Sequence, residues 1–116
     1  MTIGKLAKET NISEYTLRYY EQKGLIRVNR DGAGRRCYEE GDIEWVKFLR
    51  KLKDTGMTLK NIERYAQLRY QGAVTMPQRL QMLLEHRSYV LEQQSKWAEY
   101  LNNLDDKIDY YKISMK

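Results

Sequence analysis

Ser13-Glu-Tyr-Thr-Leu-Arg-Tyr-Tyr-Glu-Gln-Lys-Gly-Leu-Ile26 is the stretch whose spacing predicts one short helix with two faces. Ser13 carries a hydroxyl that can accept an orphan N–H of the first turn, and Gly24 can end the helix in a left-handed conformation. Leu17, Tyr20 and then Leu25 recur at helical spacing and form the packing face. Tyr15, Arg18, Tyr19 and Gln22 stand at i, i+3, i+4 and i+7, so they make a second stripe. Two phenols, a guanidinium and an amide on an exposed stripe suit phosphate oxygens and base edges. An ordinary amphipathic helix with half-buried tyrosines satisfies the same spacing, so this segment alone leaves both readings open.

The flanking residues give the helix a setting. Thr2 caps a first helix over Ile3–Thr10, with Ile3, Leu6 and Ala7 facing inward. Asn11-Ile12 is a tight turn, which makes the pair a helix-turn-helix whose second helix enters a major groove. Leu25-Ile-Arg-Val28 and Arg35-Arg-Cys-Tyr38 read as two short strands around the turn-rich tip Asn29–Gly34. The result is a small hairpin, or wing, carrying Arg27, Arg30, Arg35 and Arg36.

The charge distribution agrees with that arrangement. Of a net +5, residues 1–38 hold 8 Lys/Arg against 4 Asp/Glu, leaving 13 against 12 in residues 39–116. The excess is concentrated around the helix and wing, as an electrostatic footprint on nucleic acid requires. With 32% charged residues, 41% hydrophobic residues and one proline, the chain reads as a helix-rich soluble protein. No apolar run approaches the ~20 residues that span a bilayer, so no membrane partner is expected. No signal segment opens the chain, and the single cysteine fits a reducing compartment; the expected location is cytoplasmic.

A third helix is predicted from about Glu40 to Thr55, with Ile43, Val46, Phe48, Leu49 and Leu52 as apolar surface and Gly56 as its stop. Thr58 caps a fourth, bearing Leu59, Ile62, Tyr65, Ala66 and Leu68. After the break at Gln71–Val74, Thr75-Met-Pro-Gln78 reads as a capping box opening the last helix. That helix carries a heptad seam. Leu80, Arg87, Gln94, Leu101 and Ile108 occupy a; Met76, Leu83, Val90, Trp97, Leu104 and Tyr111 occupy d. From Met76 to Tyr111 is about 54 Å of helix. No second long helix exists in the chain to cover it, so dimerisation through Leu80, Leu83, Val90, Trp97, Leu101, Leu104 and Ile108 is expected. The pattern does not distinguish parallel from antiparallel pairing. The domains expected are 1–74, which binds DNA, and 75–116, which dimerises.

This order of elements is similar to that of the MerR family of bacterial transcription regulators. The carrying residues are Ile3-Gly-Lys-Leu-Ala7, Thr16-Leu-Arg-Tyr-Tyr-Glu21, Gly24-Leu-Ile26, Arg36-Cys-Tyr38 and Gly56-Met-Thr-Leu59. The resemblance implies a mainly α fold: a winged helix-turn-helix domain, a helix pair, and a long antiparallel coiled-coil dimerisation helix. It implies a homodimer on a palindromic promoter element, which bends and underwinds the spacer so that RNA polymerase can use it. Carried over, Arg18 and Tyr19 meet the major groove with Tyr15 and Thr16 beside them. Arg36 and Tyr38 contact the flanking backbone, Arg35 adjoins them, and Lys60 reaches a phosphate.

The second half, at Leu83-Leu-Glu-His-Arg87 and Leu104-Asp-Asp-Lys-Ile108, resembles the subgroup that answers aldehydes, electrophiles or oxidative stress. Lys51 stands where that subgroup often has a third-helix cysteine. Cys37, next to the wing arginines, is the one redox candidate, against a plain strand side chain. His86 and Cys37 are too far apart in sequence to suggest a metal site, so neither metal nor cofactor is expected. Met57, Tyr65, Tyr70 and Trp97 are candidates either for an effector pocket or for core packing. No nucleophile–base pair, phosphate loop or converging carboxylate pair points to an enzyme. Two other readings compete: an architectural DNA-bending protein of the recombination directionality type, and a coiled-coil adaptor that binds only protein.

Overall fold

The computed structural model describes residues 1–116 as five helices and one minimal hairpin. The first helix, α1, covers Ile3–Thr10. Its Thr2 cap accepts the Lys5 N–H at 3.2 Å, and Asn11 turns out of it at φ 56°. Asn tolerates that left-handed conformation because its short amide can bond locally. The second helix, α2, is Glu14–Gln22, and Ser13 accepts the Thr16 N–H at 3.1 Å, as the sequence predicts. α3 covers Gly41–Asp54; α4 covers Leu59–Tyr70 behind the Thr58 cap, which accepts from Asn61 at 3.2 Å.

These helices close over one core. α1 lies on α2 and α3, and α3 on α4. Leu6, Leu17, Tyr20, Leu25, Ile26, Val46 and Leu49 are fully buried between them. Each such side chain contributes about 1.5–3 kcal/mol on leaving water, which no helix this short could match by propensity alone. Trp45, absent from the expected apolar set, is also buried. Its indole N–H donates to the Leu25 carbonyl at 2.9 Å, and its ring stacks on Tyr65 at 5.8 Å. It thereby joins α3 to the segment leaving α2.

Three local expectations are corrected. Leu25–Val28 is not a strand; the strands are β1, Asn29–Arg30, and β2, Arg36–Cys37, paired Asn29 with Cys37 and Arg30 with Arg36. Consecutive Leu25 and Ile26 are both buried, which an alternating strand cannot achieve. Gly24, at φ 74°, folds the chain back so that the Leu25 N–H reaches the Tyr20 carbonyl at 2.9 Å. The tip is consequently shorter than Asn29–Gly34 and is closed by Asp31 and Arg35. Nor does the Thr75–Gln78 spacing act as a capping box. Thr75 ends a 3-10 turn, Ala73–Thr75, and its hydroxyl donates back to the Leu68 carbonyl while Arg79 Nε donates to it at 3.1 Å.

The last helix, α5, covers Met76–Ser114. Contacts divide the chain into a unit of Met1–Leu80 and a unit of Gln81–Lys116. Arg79 also donates to the Gly72 carbonyl at 3.0 Å, which ties the opening of α5 to the first unit. None of the residues of α5 is fully buried. No helix is long and apolar enough to cross a membrane.

Candidate nucleic-acid interface

The outward face of α2 is built around its N-cap. Ser13 Oγ both accepts the Thr16 N–H and donates to Thr16 Oγ1 at 2.9 Å, so Thr16 is held half-buried at the rim. Tyr15 is 81% exposed, and Arg18 projects beside it with only a loose 3.7 Å ion pair to Glu14. An exposed pair of this kind is worth little, so the guanidinium can exchange its carboxylate for a phosphate or a guanine edge. Tyr19 is half-buried, its ring tilted on Tyr20 at 6.3 Å, and the Lys23 ammonium lies 5.8 Å from its centroid. The predicted stripe therefore separates into three exposed residues, Tyr15, Arg18 and Gln22, and one half-buried tyrosine.

Glu21, in the last turn of α2, fixes the wing. Its Oε2 accepts from Arg36 Nε at 2.7 Å, and its Oε1 meets Arg30 NH2 at 3.5 Å. Two strands that pair over only four residues could not hold a direction unaided. The shared carboxylate supplies it, and raises the Arg36 guanidinium pKa against the opposing effect of desolvation. At the tip, Asp31 Oδ1 accepts the Ala33 and Arg35 N–H groups at 2.9 and 3.0 Å, and Oδ2 takes Arg35 Nε at 3.2 Å. Those bonds, the Arg35 amide first, pull the Asp31 carboxyl below its ordinary pKa. Gly34 at φ 79° makes the turn possible.

Tyr38 departs from the place expected of a wing contact. It is 2% exposed, its hydroxyl is buried without a partner, and burial raises its pKa. Its backbone exchanges hydrogen bonds with Met1, which seats the end of the wing beside the start of α1. Tyr38 thus supports the wing from beneath. Cys37 is exposed on β2, and Lys60 is exposed in the first turn of α4. His86 belongs to the second unit, stacked on Tyr89 at 5.9 Å.

A second brace was not read from the sequence. The Arg27 N–H donates to the Tyr70 hydroxyl at 2.9 Å, and the Arg27 and Arg69 guanidiniums lie 4.6 and 5.1 Å from the Tyr70 centroid. Arg69 also lies 4.5 Å from the Trp45 ring. The root of the wing is therefore attached to the end of α4, and Tyr65 and Tyr70 are structural. The only hint in the sequence was an Arg-Tyr pair closing an amphipathic helix, a pattern too common to single out.

Along the second unit, Trp97, Leu101, Leu104 and Ile108 are exposed, Trp97 at 70%. Leu83 and Val90 are partly covered. Leu80, in the first unit, is also exposed.

A model of the MerR HTH family regulatory proteins matches residues 1–68. An HTH-type transcriptional regulator of Haemophilus influenzae is 37% identical over 111 residues, covering 95% of this chain and 82% of that one. A chain from Listeria monocytogenes superposes with a TM-score of 0.89 at 29% identity, over 96% of this chain and 85% of its own. HiNmlR, described as a MerR family regulator lacking the sensor domain and solved bound to promoter DNA, gives 0.85 at 37% identity, over 96% and 89%.

Proposed function

Because the chain belongs to the MerR family of HTH transcriptional regulators, we propose that it acts as a homodimer on a palindromic promoter element. Each α2 enters a major groove there. Arg18 and Tyr15 reach base edges and phosphates, with Thr16 and Tyr19 at the rim of the contact. Arg35 and Arg36 of the wing meet the flanking backbone, and Lys60 approaches a phosphate. Tyr38 acts through the placement of the wing. The α5 stripe from Leu80 to Ile108 joins two chains as an antiparallel coiled coil and fixes the separation of the two α2 helices.

Bending and underwinding of the spacer then makes the promoter usable by RNA polymerase in response to a cellular signal, with specificity partly in DNA shape. We assign the chain to the neighbourhood of the electrophile-responsive subgroup, with Lys51 in place of its third-helix cysteine and Cys37 as the remaining thiol. The observation that carries the proposal is Arg18 and Tyr15 outward on α2, beside a wing whose Arg30 and Arg36 are anchored to Glu21 of the same helix. The architectural reading has no such support, since the similar chains are regulators.

Footprinting on DNA upstream of the chain's own gene tests this. Protection symmetric about one dyad supports it. Continuous protection that spreads with concentration supports cooperative coating instead.

A further inference from the structure

Two residues of the α5 seam lack the contacts their chemistry favours. Arg87, at an a position, is exposed, and no carboxylate lies within ion-pair distance of it. Trp97, at a d position, is 70% exposed and packs T-shaped with Tyr100 at 5.9 Å, but no cation lies over its ring. A guanidinium and an indole face attract one another. Leu84, Leu91 and Ala98 are also exposed, along the e side of the same stripe.

Individual layers separate pairings that the heptad pattern alone leaves open. Parallel chains stack a on a, which brings Arg87 against the partner's Arg87 inside the seam, where like charges repel. Antiparallel chains pair a with d, in registers one heptad apart. Centred on residue 92, Arg87 faces the partner's Trp97, Leu83 faces Leu101, Leu84 lies beside Ala98, and Leu91 meets its own copy. Centred between 95 and 96, Arg87 faces Leu104 and Leu84 lies beside Asp105, so two charges are buried against leucine. Centred between 88 and 89, Leu104 and Ile108 extend past the start of the partner's α5 and stay uncovered by it.

We propose that α5 pairs with a second copy about a two-fold axis at the level of Glu92, each Arg87 guanidinium lying on the indole face of the partner's Trp97. This rests on the antiparallel homodimer proposed above and assigns its register. A slip of one heptad would move one copy about 10 Å along the other, roughly a third of a DNA turn. The two cation–ring contacts therefore set the separation at which the paired α2 helices meet their half-sites.

Spin labels on the outward f positions read the register. Glu85, Glu92 and Glu99 are exposed and one heptad apart. Glu85→Cys, Glu92→Cys and Glu99→Cys, each in a Cys37→Ser chain carrying a nitroxide, report the distance between the two labels of a dimer by double electron–electron resonance. The shortest distance is expected at 92, with equal, longer distances at 85 and 99, each carrying an axial offset of about 21 Å. Equal distances at 92 and 99, or at 85 and 92, belong to the other two antiparallel registers and overturn this one alone. One distance at all three sites means parallel pairing and overturns the antiparallel dimer as well. No dipolar signal, with sedimentation at the chain mass of 14.0 kDa, overturns the dimer itself and the register with it. Trp97→Leu keeps the seam apolar and should weaken dimerisation about tenfold, but less than about threefold when Arg87→Gln is already present. Equal losses in the two backgrounds overturn the Arg87–Trp97 contact.

Discussion

Arg36 Nε lies 2.7 Å from Glu21 Oε2, so the residue that orients the wing belongs to the same helix as Arg18. Wing and α2 are therefore one surface, with Arg30 on the other oxygen of the same carboxylate. Glu21→Gln removes the charge that directs both arginines and raises the positive charge of the face. Non-specific DNA affinity is expected to rise and operator affinity to fall several-fold, measured as binding isotherms on operator and scrambled duplexes. Equal gains on both DNAs would show that the wing needs no anchor.

Trp45 and Tyr38 make opposite stability predictions although both are buried aromatics. Trp45→Phe leaves the Leu25 carbonyl without its donor and a gap where the indole stood. It should cost about 2 kcal/mol, a fall of roughly 10 °C in Tm. Tyr38→Phe removes a hydroxyl that has no partner, so its Tm should be unchanged or slightly higher. Thermal melts by circular dichroism check both.

The same phenols set the alkaline limit. Burial raises the pKa of Tyr20 and of Tyr38 above the ordinary 10.0. Stability from keeping them neutral is complete below the unfolded value and is lost as pH rises through the folded one. Tyr38→Phe should therefore lose less stability than wild type on going from about pH 9 to pH 11, with no difference between the profiles below that window. Urea midpoints at matched ionic strength supply the comparison.

Leu101 and Leu104 are exposed in the isolated chain. If a second copy covers them, Leu101→Glu buries a charge in the seam and dissociates the dimer. Sedimentation velocity should find wild type near twice the chain mass of 14.0 kDa and the variant near that mass. A wild-type monomer at micromolar concentration would remove the coiled coil from the account.

The helices, and the caps of three of them, were legible because their signals are local. Thr2, Ser13 and Thr58 each precede a 3.6-residue pattern and each caps as its chemistry dictates. The wing strands were misplaced because Leu25 and Ile26 resemble a strand, whereas tertiary burial uses both side chains at once. Glu21 was visible only as part of a helical motif; its role depends on Arg36, 15 residues away, and on a fold that brings them together. Trp45 and Tyr70 act through partners 20 and 43 residues distant, which periodicity cannot register. Tyr15 and Arg18 are exposed, as the stripe on α2 requires, whereas Tyr19 is half-buried and Tyr38, expected on the surface of the wing, lies in the core.

Arg18 carries the central claim, that the outward face of α2 reads a specific DNA site. The direct measurement is the affinity of wild type and Arg18→Ala for operator and for scrambled DNA of equal length at one salt concentration. Loss of a base contact costs about 1–3 kcal/mol, so operator affinity should fall roughly tenfold to hundredfold while scrambled-DNA affinity falls only a few-fold. Equal losses on the two DNAs would contradict the assignment and reduce Arg18 to one more phosphate contact.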